Sequence, residues 1–143
     1  MKLFFLVVLL ISWLNAQNFV TKVSPYGVDE TIKKLTKIVK AKGFRVFATV
    51  DHAKGAQSVK MDLEPQKVLI FGKPQAGTKI MQKDRQAGFD LPIKIMVYQE
   101  AKEVKLLYRT SEYFKSHYKL DGCKTLEKMA GALDAITNRA IGK

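Results

Sequence analysis

The sequence predicts a two-layer α+β domain, a mainly antiparallel sheet with helices packed on one face, and three observations carry that prediction. Two segments repeat apolar residues at helical spacing: Val28, Ile32, Leu35 and Val39, then Leu126, Met129, Leu133 and Ile136 or Ala140. Several shorter segments alternate with the period of two that belongs to a strand, or form short apolar runs. The last two of these, Ile93 to Tyr98 and Val104 to Tyr108, stand close enough about Lys102 to form a hairpin. Helices and strands in this order stack as two layers around one core.

Taken in order, Phe19 to Val23 reads as a short first strand. Gly27 caps the first long helix, whose first turn carries Asp29 and Glu30, favourable at the positive end of a helix dipole. Lys33, Lys34, Lys37 and Lys40 fall largely outside the apolar stripe, and Gly43 suits a left-handed stop. Phe44 to Val50 reads as a strand with Phe44, Val46, Ala48 and Val50 on one face. Ala53, Gly55 and Ala56 suggest a compact turn or a single helical turn, and Val59, Met61 and Leu63 alternate. Lys67 to Phe71 is an apolar run suited to a central strand covered on both faces. Thr78 to Asp84 reads as a short helix capped by Thr78, and the chain closes with helices over Ser111 to Tyr118 and Thr125 to Ile141.

The first residues have another purpose. Lys2, the apolar run Leu3 to Ile11 and the small residue Ala16 make a signal-peptide layout, with cleavage expected after Ala16 and a retained tether as the alternative. The run falls short of the about 20 apolar residues that span a bilayer, so no stable membrane span is expected after cleavage. Residues 17–143 then form one domain, periplasmic or secreted. Its formal charge, +12 for the full chain, loses one unit with Lys2. Basic chains favour anionic partners, but export argues against nucleic acid. Small anions, lipid headgroups or an acidic envelope component fit better, against the plainer reading of a solvated lysine surface. The single Cys123 cannot form an internal disulfide; it reads as a small, partly buried side chain, with a reactive thiol or an intermolecular link as the alternatives.

From about Phe19 to His117 several segments together resemble one family. They are Lys42-Gly43-Phe44, Val50-Asp51-His52-Ala53, Leu69-Ile70-Phe71-Gly72-Lys73-Pro74, Gly77-Thr78 with Met81, and Gly88-Phe89-Asp90-Leu91-Pro92. The chain resembles the family called domain of unknown function 302. The resemblance implies a compact α+β fold, found as a lone domain and compatible with a homodimer, and it implies no activity. Lys73 stands where the family pattern usually has Asn.

Candidate site residues follow from chemistry. Gly72, Lys73, Gly77, Thr78 and Lys79 lie between an apolar strand and a helix, a setting in which backbone N–H groups and two lysines could hold a small anion. The two glycines echo a nucleotide-binding loop, but Thr78 precedes Lys79 where that loop needs the lysine first, which excludes nucleotide hydrolysis. The plainer reading is a tight turn followed by a capped helix. Asp51 and His52 suggest acid–base chemistry, against a His held at a strand end. With Asp90, His52 and the Gly72 segment are expected to converge on one site if strand order allows. Two histidines and no cysteine pair give no expectation of a metal, and no cofactor is expected. The functional expectation is a binding or accessory module for a small anion or envelope partner. An enzyme using His52 as acid or base and a structural envelope protein are the alternatives.

Overall fold

A computed structural model describes residues 18–143; the expected signal segment and its cleavage point lie outside them. The chain enters along β1 (Phe19–Ser24) and turns into α1 (Val28–Ala41). Gly27 holds the N-cap position without a side-chain bond. Thr31 ties the turn instead, donating its hydroxyl to the Gly27 carbonyl at 2.8 Å and meeting Ser24 Oγ at 2.7 Å inside the core. Gly43, at φ 74°, stops α1 in the left-handed region where a side chain is strained. There follow β2 (Arg45–Asp51), α2 (His52–Ser58), β3 (Gln66–Gly72), α3 (Pro74–Lys83) and a 3-10 turn (Arg85–Phe89). The hairpin β4 (Ile93–Glu100) and β5 (Glu103–Arg109) precedes α4 (Ser111–His117) and α5 (Lys124–Ala140).

The five strands lie in the order β1-β5-β4-β3-β2, each pair antiparallel. Inward positions Leu69, Phe71, Ile95, Val97 and Leu106 are fully buried against Leu35 and Val39 of α1 and Leu133 and Ile136 of α5. Burying a side chain of this size contributes about 1.5–3 kcal/mol, so this interface carries the fold. A second cluster joins Ile80 of α3 to Ala87, Phe114, Leu120, Cys123 and Leu126. Cys123 is a buried free thiol, as its small apolar character suggests. Lys22 points inward from β1, and its ammonium donates to Asp134 Oδ1, Thr137 Oγ1 and Asn138 Oδ1 at 2.7–2.8 Å, tying the edge strand to α5. No helix among the described residues is long and apolar enough to cross a membrane.

Three local expectations need correction. The single-face reading of Phe44, Val46, Ala48 and Val50 fails because β2 carries an irregularity at Phe47: Val46 pairs with Phe71, but Ala48 pairs with Ile70. One inserted residue turns Ala48 and Val50 to the outer face. β3 is not covered on both sides, since Leu69 and Phe71 face the helices whereas Val68 and Ile70 are half-buried on the outer face. Finally, the helix expected from Thr78 begins four residues earlier at Pro74.

Candidate functional site

At the end of the sheet where β2 begins and β3 finishes, a cleft of about 670 Å³ opens between the start of α3, the Leu91–Ile93 segment and the middle of α5. Its walls include Phe44, Phe47, Met81, Leu91, Pro92 and Met129, and four cationic residues, Arg45, Lys73, Lys79 and Lys128, also line it. No Asp or Glu does. The volume falls within the range of small-molecule sites, roughly 300–1,000 Å³. Lys73 Nζ lies 4.7 Å from the centre of the Phe44 ring, which meets Phe71 edge-on at 5.5 Å. This contact holds a cation at the mouth while its aromatic partner is anchored in the core. All four cations are exposed, and none forms an ion pair with a described residue. Unpaired charge of one sign around an apolar wall raises the local attraction for anions.

Gly72, Lys73, Gly77, Thr78 and Lys79 all line this cleft, but their local structure differs from the turn-and-cap expectation. Lys73 is the N-cap residue of α3 and Pro74 its first residue. Proline there has a preset φ and lacks an N–H that the helix would leave unpaired. Gly77 lies inside the helix and donates its N–H to the Lys73 carbonyl at 3.0 Å; Thr78 follows it in the second turn and caps nothing. Added side-chain atoms at Gly72 and Gly77 would meet only ordinary contacts, the nearest at 3.7 and 3.9 Å. Neither glycine is demanded by space.

His52 does not join them. Asp51 pairs with Lys67 at the start of β3, whereas Gly72 pairs with Arg45 at its finish. The two ends are five residues apart, about 17 Å at 3.3 Å per residue. His52 is exposed at the first position of α2. Its neighbour Asp51 is committed elsewhere: one carboxylate oxygen accepts the Lys54 N–H at 2.9 Å as the α2 cap, and the other meets Lys67 Nζ at 3.0 Å. The Lys54 N–H and then Lys67 hold the Asp51 pKa below the ordinary carboxylate value. Lys67 also meets Asp29 at 2.7 Å, and Asp29 followed by Asp51 raises its pKa. This is a network joining α1, β2, α2 and β3.

Asp90 stands beside the cleft and turns away from it. Its carboxylate accepts the hydroxyls of Tyr113 at 3.0 Å and Tyr118, and Arg109 Nε lies 4.0 Å away. The guanidinium stacks 3.7 Å over the Tyr113 ring. Burial, followed by the Asp90 bond, pushes the Tyr118 phenol up to about 12 and the Tyr113 phenol up as well. Both phenols therefore stay protonated donors at neutral pH, and Asp90 clamps α4 to the segment carrying Leu91 and Pro92. Its effect on the cleft is positional.

Arg45, Phe47, Thr125, Lys128 and Met129 also line the cleft, outside the segments to which the sequence motifs point. Arg45 starts the strand paired with the Gly72 end, which the strand reading could have supplied. Nothing local marks Lys128, about fifty positions beyond the Gly72 segment on another helix.

These elements define a two-layer α+β domain with an apolar, cation-lined cleft at one end of its sheet. The chain belongs to the family described as Domain of unknown function DUF302, whose profile matches residues 20–136. Its fold resembles the crystal structure of an uncharacterized conserved DUF302 protein from Bacillus stearothermophilus. The TM-score is 0.70 at 21% identity, covering 88% of this chain and 97% of that one. Among curated proteins it is similar to fluoride-specific ion channel FluC 1 of Brucella suis and FluC 2 of Brucella melitensis, 41% identical over 83 residues in each case. The match covers 58% of this chain and 33% and 31% of those proteins, so the chain spans about a third of the relatives' length.

Proposed function

We propose that the protein is an accessory binding module, acting outside the cytoplasmic membrane, whose ligand is a small anion with an apolar body such as an acyl or aryl phosphate or carboxylate. The observation that carries this reading is the cleft itself: apolar walls, four cationic residues and no acidic one. An inorganic anion alone would leave the walls of Phe44, Met81 and Met129 unused, and a neutral apolar ligand would leave the cations unused. The backbone N–H groups at the start of α3 add directed donors beside Lys73. The names of the curated relatives favour an accessory role, since their matching segment is part of chains named for moving an anion. Catalysis by His52 loses ground because that residue lies at the other end of β3 and Asp51 is occupied.

Calorimetric titration with dodecyl phosphate, dodecyl maltoside and inorganic phosphate tests the reading. Dodecyl phosphate should bind most tightly, and replacing Lys73 and Lys79 together by Gln should weaken it about tenfold, equivalent to about 1.4 kcal/mol. Equal affinity for the neutral and anionic amphiphiles, or an unchanged constant in the double variant, contradicts it.

A further inference from the structure

The sheet parts along one seam. The ladder between β4 and β5 runs from Glu100↔Glu103 to Met96↔Leu107 and stops there, although both strands continue. Beyond that point Ile93, Lys94 and Ile95 pair with β3, and Tyr108 and Arg109 pair with β1, but the two edges do not pair with each other. A cavity of about 210 Å³ lies in this gap. Lys94 and Met96 of one edge, Leu107 and Arg109 of the other, and Phe114 and Leu133 from the helical layer are among its walls. Ile93 and Met129 line both this cavity and the cleft, so the two spaces adjoin, yet none of the four cleft cations lines the seam.

The charged residues of the seam are unequally committed. The Lys94 ammonium donates to the carbonyls of Asp90 and Pro92 at 3.2 and 3.1 Å. One Asp90 carboxylate oxygen accepts both phenols, Tyr113 at 3.0 Å and Tyr118. Arg109 differs from both. The centre of its guanidinium lies 3.7 Å from the centre of the Tyr113 ring and 4.8 Å from that of Phe19. Its Nε stands 4.0 Å from the second Asp90 oxygen, too far for a hydrogen bond. Stacking occupies the faces of a guanidinium and leaves its N–H edge able to donate. None of those N–H groups is hydrogen-bonded to a described residue. A fork of donors is thus held in place by two rings beside an apolar cavity.

We propose that the seam is a second binding site, for a short-chain monocarboxylate whose carboxylate takes the Arg109 fork and whose hydrocarbon end lies against Met96, Leu107 and Leu133. Charge selects the class. Arg109 and Lys94 against Asp90 leave one positive charge at the cavity, which balances a monoanion. A guanidinium and a carboxylate meet as planar partners through two parallel hydrogen bonds. Size selects the length. At roughly 30 Å³ of liquid volume per water-sized atom, the cavity holds about seven non-hydrogen atoms, the size of pentanoate. That is smaller than the roughly 300–1,000 Å³ of sites for larger ligands. The seam site therefore differs in ligand from the cleft and does not rest on the cleft's assignment.

Titration of isotope-labelled protein, expressed from the full chain and followed through its amide spectrum, tests the proposal. Sodium pentanoate is the probe, with pentan-1-ol and pentylammonium as neutral and cationic molecules of the same length. Pentanoate should shift the amides of Phe19, 93–96 and 107–109 and saturate with a dissociation constant of about 1 mM or tighter. The neutral and cationic probes should bind about tenfold more weakly or worse. Arg109→Gln should weaken pentanoate about tenfold, and Leu107→Phe, which fills the cavity and keeps every charge, should do the same. Circular dichroism establishes that each variant is folded; if Leu107→Phe is not, the probe series and Arg109→Gln still decide. Four results overturn the proposal: no saturable shift at the seam; equal affinity for pentanoate and pentan-1-ol; undiminished binding by folded Arg109→Gln; and shifts confined to 72–81 and 125–132, which assign the carboxylate to the cleft. Failure of dodecyl phosphate to bind in the cleft would leave the seam shifts in place, so the two readings fail separately.

Discussion

The two ends of the β2–β3 pair carry the same kinds of side chain in opposite circumstances. Where β2 finishes, Lys67 is held by Asp29 and Asp51, and Asp51 also caps α2. Where β2 begins, Arg45, Lys73, Lys79 and Lys128 line an apolar cleft with no carboxylate among them. The paired cation joins elements of the fold, and its loss should appear in stability. The cations of the cleft form no ion pair with a described residue, and their loss should appear in ligand affinity.

Removing the core side chain beneath the cleft gives the largest effect. Phe71 is fully buried and supports Phe44, over which Lys73 lies. Phe71→Ala should cost about 3–5 kcal/mol in urea unfolding, and at low denaturant the surviving folded protein should also bind dodecyl phosphate more weakly. Next comes the contrast itself. Lys67→Gln should lower stability by about 1 kcal/mol, the upper range for a partly exposed pair, and leave dodecyl phosphate affinity unchanged. The Lys73 and Lys79 double variant should show the reverse pattern. If Lys67→Gln weakens the ligand as much as the double variant does, the ends are not separate.

The smallest effect is in the pH dependence. Asp51 and Asp84 have folded pKa values below the ordinary 3.8, Asp51 chiefly through the Lys54 N–H and Asp84 chiefly through the Lys119 N–H. Folded protein therefore binds fewer protons than unfolded protein in this window. The stability they contribute is present above their unfolded pKa and is lost as pH falls through the folded values. Lys67, raised above 10.5, behaves oppositely: its contribution is present below that value and is lost as pH rises through the folded pKa. In urea midpoints measured across pH, Asp51→Asn should reduce the acid loss and Lys67→Gln part of the alkaline loss. The cleft variants should change neither limb. An acid limb unchanged in Asp51→Asn removes the charge network from the account.

What was legible in the sequence was what a local pattern specifies. The stripe Val28, Ile32, Leu35 and Val39 is buried as its spacing requires, Gly43 stops the helix in the left-handed region, and the β4–β5 hairpin turns at Ala101 and Lys102. The irregularity at Phe47 was not legible, because one inserted residue leaves the composition of a strand unchanged while reversing the face of everything after it. Pro74 after Gly72 has the local composition of a turn, although the same rigid φ and missing N–H suit the first position of a helix. Gly72, Lys73, Gly77, Thr78 and Lys79 line the cleft from one contiguous segment that its sequence setting marks. Lys128 and Met129 came from α5, and only tertiary packing brings them there. His52 and Gly72 both follow strands in the sequence, yet antiparallel pairing sends those strand ends to opposite sides.

The separation of ligand end from paired end is tested most directly by amide hydrogen exchange on the wild-type protein with and without dodecyl phosphate. Slowed exchange confined to the cleft-lining segments, residues 44–47, 72–81, 91–93 and 125–132, with 51–58 unchanged, is the predicted result. Protection centred on His52 and α2, or spread evenly over the sheet with the cleft segments unaltered, would contradict it.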